Sequence, residues 1–147
     1  MKEYIIEQLN SELEGVIMGE NETTKLLEKA KDEKIIDLLD KTLSIAEKNK
    51  LAITEEIERL GGVATKNEGT WGKMIEVFNS IKEMNIDTDK EILQTAIKGT
   101  EMGFKAILDF LIKEDKLDES FKKELIEISD EYAINIKEMQ KYLIELS

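Results

Sequence analysis

The residues in this sequence that could do chemistry are carboxylates, lysines and hydroxyl groups, since the chain of 147 residues contains no histidine and no cysteine. Without histidine it lacks the commonest general base and the commonest transition-metal ligand. Without cysteine it lacks thiolate nucleophiles, thiolate metal sites and disulfides. This composition predicts that the protein is not an enzyme and carries no cofactor.

Glu20 and Lys50 each continue a series of apolar residues spaced three or four positions apart, which is the spacing of one helix face. The two series are Leu9, Leu13, Val16, Glu20 and Leu39, Leu43, Ala46, Lys50. A buried charge without a partner is costly, so the pattern predicts an ion pair between Glu20 and Lys50, with Glu47 as a second carboxylate. The alternative is that Glu20 and Lys50 lie at the edges of their stripes and extend to water.

Four long segments have the period of an α-helix, and they cover about residues 3–29, 32–60, 88–112 and 118–146. Asp32 and Thr88 are predicted N-caps, and Gly61-Gly62 is predicted to end the second helix. Residues 61–87 form a long connection that is predicted to carry a short amphipathic helix at about 70–84. No proline interrupts any of these segments.

The lengths of the connections predict the order of the helices in space. Short loops make neighbouring helices antiparallel, and a single long crossover is the connection found in ferritin-like bundles. The predicted fold is therefore all-α, a ferritin-like four-helix bundle in a single domain (residues 1–147) with a short extra helix on its crossover.

Five short segments carry a resemblance that covers nearly the whole chain. They are Gly19-Glu20, Glu55-Glu56-Ile57-Glu58-Arg59-Leu60-Gly61-Gly62, Glu68-Gly69-Thr70-Trp71, Asp89-Lys90-Glu91-Ile92-Leu93 and Lys98-Gly99-Thr100-Glu101. They resemble a bacterial ferritin-like four-helix family of unassigned function, which is distantly similar to ferritins and rubrerythrins. The resemblance implies the fold and supplies no activity.

A ferritin-like fold raises the question of a di-metal centre, which needs one inward Glu from each of two helices and a Glu-x-x-His pair from each of the other two. The corresponding positions here are Glu20, Glu47, Lys50, Thr100, Ser129 and Tyr132. A lysine opposes a nearby cation, so we expect a degenerate centre in which Lys50 takes the place of the metal within a polar network. The alternative is a carboxylate-only iron or manganese site built from Glu20, Glu47, Glu101 and Glu131.

The net charge of −12 makes nucleic acid and anionic membranes unexpected partners. The N-terminal segment does not resemble a signal peptide, and no apolar run is long enough to span a membrane, so a cytoplasmic location is expected.

A protein without catalytic groups is expected to act through assembly, for instance as a homodimer. The apolar side chains outside the main stripes, and therefore expected on the surface, are Tyr4, Ile5, Met18, Leu38 and Leu51. Gly99 and Gly103 are predicted to allow a close approach of two helices. The sequence neither supports nor excludes a small apolar ligand in the core.

Overall fold

The computed structural model describes residues 2–67, 86 and 88–147, and these residues form helices without strands. The helices are α1 (Lys2–Lys29), α2 (Glu33–Arg59), α3 (Asp89–Lys113) and α4 (Glu119–Leu146). Their bounds differ from the predicted ones by at most one residue. The all-α fold class is confirmed, while the helix predicted at about 70–84 lies outside the described residues.

The predicted N-caps of α2 and α3 are confirmed. The Asp32 carboxylate accepts hydrogen bonds from the backbone N–H groups of Lys34 and Ile35 at 2.9 and 3.1 Å. The Thr88 hydroxyl accepts from the Glu91 N–H at 3.1 Å and donates to the Glu91 carboxylate at 2.8 Å. These bonds satisfy backbone donors that have no partner within the first turn of a helix.

The end of α2 is a Schellman motif. Gly61 has a φ of 84°, which side chains with a Cβ rarely adopt. The Gly62 N–H donates to the Ile57 carbonyl, and the Gly61 N–H donates to the Glu58 carbonyl, both at 2.9 Å. This is the hydrogen-bond pattern of the motif, and it reverses the chain so that Gly62 packs against Ile6 at the start of α1.

Contacts at both ends of α1 show that α1 and α3 are antiparallel. The Tyr4 hydroxyl, at the start of α1, donates to Glu114 just after α3, at 3.1 Å. The Lys31 N–H, just after α1, donates to Asp89 at the start of α3, at 3.4 Å. Because the hairpin of α1 and α2 is also antiparallel, α2 and α3 run in the same direction, and residues 60–88 connect opposite ends of the bundle.

Two ion pairs show that α2 and α4 are antiparallel. Lys41 pairs with Glu138 at 3.2 Å, and Lys48 pairs with Glu131 at 2.7 Å. Residue numbers therefore rise along α2 in the direction in which they fall along α4. Among the described elements, α1 and α4 lie diagonally opposite each other, as do α2 and α3. Each helix packs chiefly against the two helices that are not its diagonal partner.

The buried apolar side chains form two clusters, one toward each end of the bundle. The first contains Leu9, Leu13, Ile53, Ile57, Phe110, Phe121 and Leu125, and the second contains Met18, Ile35, Leu38, Leu39, Leu93, Ile97 and Met139. Along α2, α3 and α4 the buried polar residues Thr42, Thr100 and Asn135 lie between the two clusters. The bundle therefore has an apolar core with polar side chains near its middle.

The expected surface strip of apolar side chains is partly wrong. Met18 and Leu38 are only 3 and 4 % exposed, because each helix packs against two neighbours and buries an arc wider than one stripe. Tyr4 and Leu51 are exposed, as expected, and Ile5 is half-buried. Within the described ranges, the helices lack the combination of length and apolar character that crossing a membrane requires.

Candidate functional site

The predicted contact between Glu20 and Lys50 is present at the interface of α1 and α2. Lys50 Nζ lies 2.9 Å from Glu20 Oε1, and the exposed fractions of the two side chains are 44 % for Lys50 and 16 % for Glu20. Both residues border an open groove beside residues 62–67. Lys50 is therefore half-exposed at the edge of its apolar stripe. The alternative prediction, that Lys50 extends to water, fits this position better than a lysine buried inside the bundle.

Glu47 is exposed and, within the described part of the chain, makes no ion pair with Lys50. The reason is the width of the buried face of α2: Leu39 and Ala46 of the predicted stripe are buried, but Thr42 and Asn49 are buried beside them, while Lys50 is only half-buried. Asn49 rather than Lys50 faces the interior and is 2 % exposed. The carboxylate that is buried on α2 is Glu56, which receives two hydrogen bonds from Arg59 at 2.6 and 2.8 Å.

The alternative metal ligands Glu20, Glu47, Glu101 and Glu131 do not converge. Glu20 pairs with Lys50, Glu131 pairs with Lys48 on the outer side of α2 and α4, and Glu47 and Glu101 are exposed. Among residues 2–67, 86 and 88–147, no three carboxylates lie close enough together to hold a metal ion. Carboxylates that already pair with lysines on different faces do not fit a di-metal centre.

Replacing Lys50 with methionine should lower the free energy of unfolding by no more than about 1 kcal/mol, because ion pairs with an exposed partner contribute little. Urea unfolding at moderate salt measures the change. Lys48→Met is the matched control, since Lys48 also pairs across helices and is likewise exposed. A loss of several kcal/mol for Lys50→Met alone would show that the Glu20–Lys50 pair is buried in solution.

The buried polar groups in the middle of the bundle are neutral, whereas the buried carboxylates Glu56 and Glu114 lie toward the end where α2 and α3 finish. The neutral groups are Thr42, Asn49, Thr100, Ser129, Tyr132 and Asn135. Three of the predicted site residues, Thr100, Ser129 and Tyr132, are thus buried as expected. The Thr100 hydroxyl donates to the Ala96 carbonyl and the Ser129 hydroxyl to the Ile126 carbonyl, both at 2.7 Å. These two hydroxyls are therefore held by their own helices.

Thr42 and Asn135 form a buried bond between α2 and α4. The Thr42 hydroxyl lies 2.6 Å from Asn135 Oδ1 and 3.0 Å from the Leu38 carbonyl. Asn135 Nδ2 donates to the same Leu38 carbonyl at 3.3 Å. Both side chains are therefore satisfied inside the bundle, as buried polar groups must be.

Asn49 and Tyr132 form the second polar contact of the interior. Burial raises the pKa of Tyr132 to about 12, the Asn49 amide acts in the opposite direction, and the charge of Glu20 adds a further increase. The Asn49 amide is thus a hydrogen-bond partner of the phenol, and a bond that favours the charged form lowers a pKa. Within the described residues, Asn49 Oδ1 is the buried side-chain oxygen without a hydrogen-bond partner.

A cavity of about 420 Å³ lies between α1 and α3 and reaches these polar groups. Its inner end includes Thr42, Ala46, Asn49, Thr100 and Tyr132, and its walls include Gly15, Gly19, Gly99 and Gly103. A volume of this size is within the range of pockets that bind small molecules.

The glycines of α1 and α3 create space and do not bring the helices together. A Cβ atom built on Gly19 or Gly99 would meet no described atom within 4 Å, and one on Gly103 would meet only the Tyr132 ring at 4.0 Å. The predicted close approach at Gly99 and Gly103 is therefore wrong. Small residues on facing helices leave the volume that larger side chains would fill.

Glu12 lies on the wall of this cavity and is the titratable group there that responds near neutral pH. Burial raises the pKa of the Glu12 carboxyl to about 7, with a further increase from the nearby charge of Asp109 and a decrease from Lys113. Glu12 therefore changes charge near neutrality, at the side of a largely apolar cavity.

The described helices and the polar side chains between them define an all-α four-helix protein with a mainly uncharged interior. Within that class, the chain belongs to the family described as Domain of unknown function (DUF2383), which matches residues 4–113. No curated protein and no solved structure matches the chain. Membership of a family without an assigned function is confirmed, and the relation to ferritins and rubrerythrins stays a prediction.

The sequence contained a signal for part of the site that our prediction missed. Thr42, Ala46, Asn49 and Ile53 are spaced by four, three and four residues. This stripe shares Ala46 with the predicted one and has Asn49 in the place of Lys50, and periodicity alone does not choose between such neighbouring positions. Glu12 gave no such signal, because its environment depends on Asp109 and Lys113 of another helix.

Proposed function

We propose that the protein is a non-catalytic binding protein of ferritin-like architecture that holds a small molecule in the cavity between α1 and α3. The observation that carries this proposal is the cavity itself, which extends from the helix surfaces to Asn49 and Tyr132. Binding sites are typically concave, mainly apolar and equipped with a few polar groups. The cavity has this composition.

The chain directions support the ferritin-like part of the proposal. Parallel α2 and α3, joined through residues 60–88, correspond to the single long crossover of that architecture. In this view the middle of the bundle, where ferritin-like proteins hold metal ions, carries hydroxyl and amide groups. The neutral side chains Thr42, Asn49 and Asn135 supply hydrogen bonds there and are weak ligands for a di-metal centre.

The chemistry of the lining supports binding over catalysis. Acid–base catalysis commonly uses two groups whose environments separate their pKa values. In the described lining Glu12 titrates near neutrality, while the Tyr132 phenol keeps its proton because its pKa is about 12. One carboxyl with a raised pKa, without an activated nucleophile beside it, is a poor catalytic set.

Assembly through helix faces has less support than ligand binding. Two of the five side chains proposed for an exposed strip, Met18 and Leu38, are buried. The remaining exposed apolar side chains, such as Leu51 and Ile134, are of the scattered kind that soluble proteins commonly show. A homodimer remains compatible with the proposal and is not needed for it.

Filling the cavity should abolish ligand binding without unfolding the protein. Leucine at Gly99 would project into the open volume, and a better helix former replaces glycine there. With 4-butylphenol as the probe, isothermal titration calorimetry should show binding to the wild type and at least about tenfold weaker binding to Gly99→Leu. Backbone NMR shifts on addition of the probe should cluster on α1 and α3.

Lys98→Leu is the matched control, because Lys98 is an exposed neighbour on α3 and does not line the cavity. It should bind the probe as the wild type does. No binding to the wild type, or equal binding to Gly99→Leu and the wild type, would contradict the proposed function.

A further inference from the structure

We infer that the ligand of this cavity is an uncharged, mainly apolar alcohol or phenol whose hydroxyl group donates a hydrogen bond to Asn49 Oδ1. The inference rests on the proposed function and specifies the chemistry that the cavity selects. Asn49 lies at its inner end, and its side-chain oxygen lacks a partner among the described residues. A buried acceptor without a donor is costly, so a ligand that supplies one gains from the contact.

The other polar groups at the inner end leave Asn49 Oδ1 as the open position. The Thr42 hydroxyl is engaged with Asn135 and the Leu38 carbonyl. The Thr100 hydroxyl donates to the Ala96 carbonyl. The Asn49 amide is a hydrogen-bond partner of the Tyr132 phenol, and of its two polar atoms Oδ1 is the buried one without a partner. The open position is therefore an acceptor, and an acceptor selects a donor.

The distribution of charge favours a neutral ligand. The polar residues at the inner end are uncharged, and a charged group placed among them would lose its hydration without gaining a counter-ion. Charged residues of the lining, such as Lys105 and Asp109, are strongly exposed and pair with each other at 3.1 Å. They belong to the mouth of the cavity. Glu12, on the wall, carries a partial negative charge near pH 7, which disfavours an anionic ligand.

A matched pair of probes separates the hydrogen bond from the apolar contact. We expect 4-butylphenol to bind the wild type about threefold to tenfold more tightly than 4-butylanisole, its methyl ether, which has no donor, because a neutral hydrogen bond contributes that much. 4-Butylbenzoate, which is anionic, should bind more weakly than the phenol. Titration calorimetry at pH 7 gives the three dissociation constants.

Substitution of Asn49 should remove the preference for the donor. Asn49→Leu keeps a side chain of similar size and loses the acceptor. The variant should therefore bind 4-butylphenol no more tightly, relative to 4-butylanisole, than the apolar surfaces of the two probes alone predict. Lys98→Leu is the control, since Lys98 is exposed on α3 and does not line the cavity; its ratio should match that of the wild type.

A measurement on the wild-type protein keeps the inference testable if Asn49→Leu does not fold. The side-chain carbonyl carbon of Asn49 should shift downfield in the NMR spectrum on addition of 4-butylphenol and not on addition of 4-butylanisole. Equal affinities for the two probes, or tighter binding of the ether or the benzoate, would overturn the inference while leaving the proposed function standing. Failure of all three probes to bind would contradict the proposed function itself.

Discussion

Replacing Glu12 with glutamine should leave the free energy of unfolding almost unchanged at pH 4 and raise it by about 3 kcal/mol at pH 8. The pKa of Glu12 is about 7 in the folded protein, against 4.5 for an unperturbed glutamate. The folded state therefore keeps a proton that the unfolded state releases as the pH rises from about 4.5 to 7. Wild-type stability falls across that window because a partly buried carboxyl must ionise, and glutamine removes this cost.

Urea unfolding of the wild type and of Glu12→Gln, at pH 4 and at pH 8, measures the effect. Glu7→Gln is the matched control, because Glu7 is exposed on the same helix and its replacement removes the same charge. Its stability should differ from that of the wild type by no more than about 0.5 kcal/mol at either pH. If Glu12→Gln gained no more at pH 8 than at pH 4, Glu12 would be solvated and its pKa ordinary.

Alanine at Gly62 should lower the free energy of unfolding by about 2 kcal/mol, the usual size of an overpacking defect. Its Cβ atom would lie 2.7 Å from Ile6 Cγ2 and 3.1 Å from Ile57 Cγ2. Both contacts are with branches close to the backbone, which a change of rotamer moves poorly because β-branched side chains are stiff at χ1. Thermal or urea unfolding measures the loss.

A compensating change at Ile6 distinguishes overpacking from a backbone effect. Ile6→Ala alone costs stability, but in the Gly62→Ala background it should cost less, with a coupling of at least about 1 kcal/mol. Gly61→Ala provides the contrast, since an alanine would be strained at the φ of 84° and its Cβ would have no described atom within 4 Å. It should lose about 1 kcal/mol, and Ile6→Ala should not restore that loss. Strict additivity at Gly62 would show that the turn moves away from α1.

The helices could be predicted from the sequence because their signals are local. Asp32, Thr88 and Gly61 each act through backbone groups within a few residues of their own position. The spacing of apolar residues gives the length of each helix in the same local way. These three boundaries depend on short-range chemistry and are therefore visible before any tertiary contact is known.

The site was harder to predict because it depends on rotation of the helices and on contacts between them. A small rotation of α2 exchanges Lys50 for Asn49 at the interior, and both positions satisfy a helical period. The cavity is lined by Gly19 and Gly99 from different helices, which no local pattern encodes. The pKa of Glu12 likewise reflects burial between helices and the charges of Asp109 and Lys113, about a hundred residues away in the sequence.

The bond between Thr42 and Asn135 has a consequence for the register of α2 and α4. The ion pairs Lys41–Glu138 and Lys48–Glu131 are separated by seven residues on each helix, so sliding one helix by a heptad would still bring one lysine to one glutamate. The same slide would part Thr42 from Asn135 and bury both without partners. Apolar clusters tolerate such a shift better than a polar pair does. The neutral hydrogen bond in the middle of the bundle thus fixes the register of α2 and α4. The ion pairs and the apolar contacts alone would permit more than one alignment of the two helices.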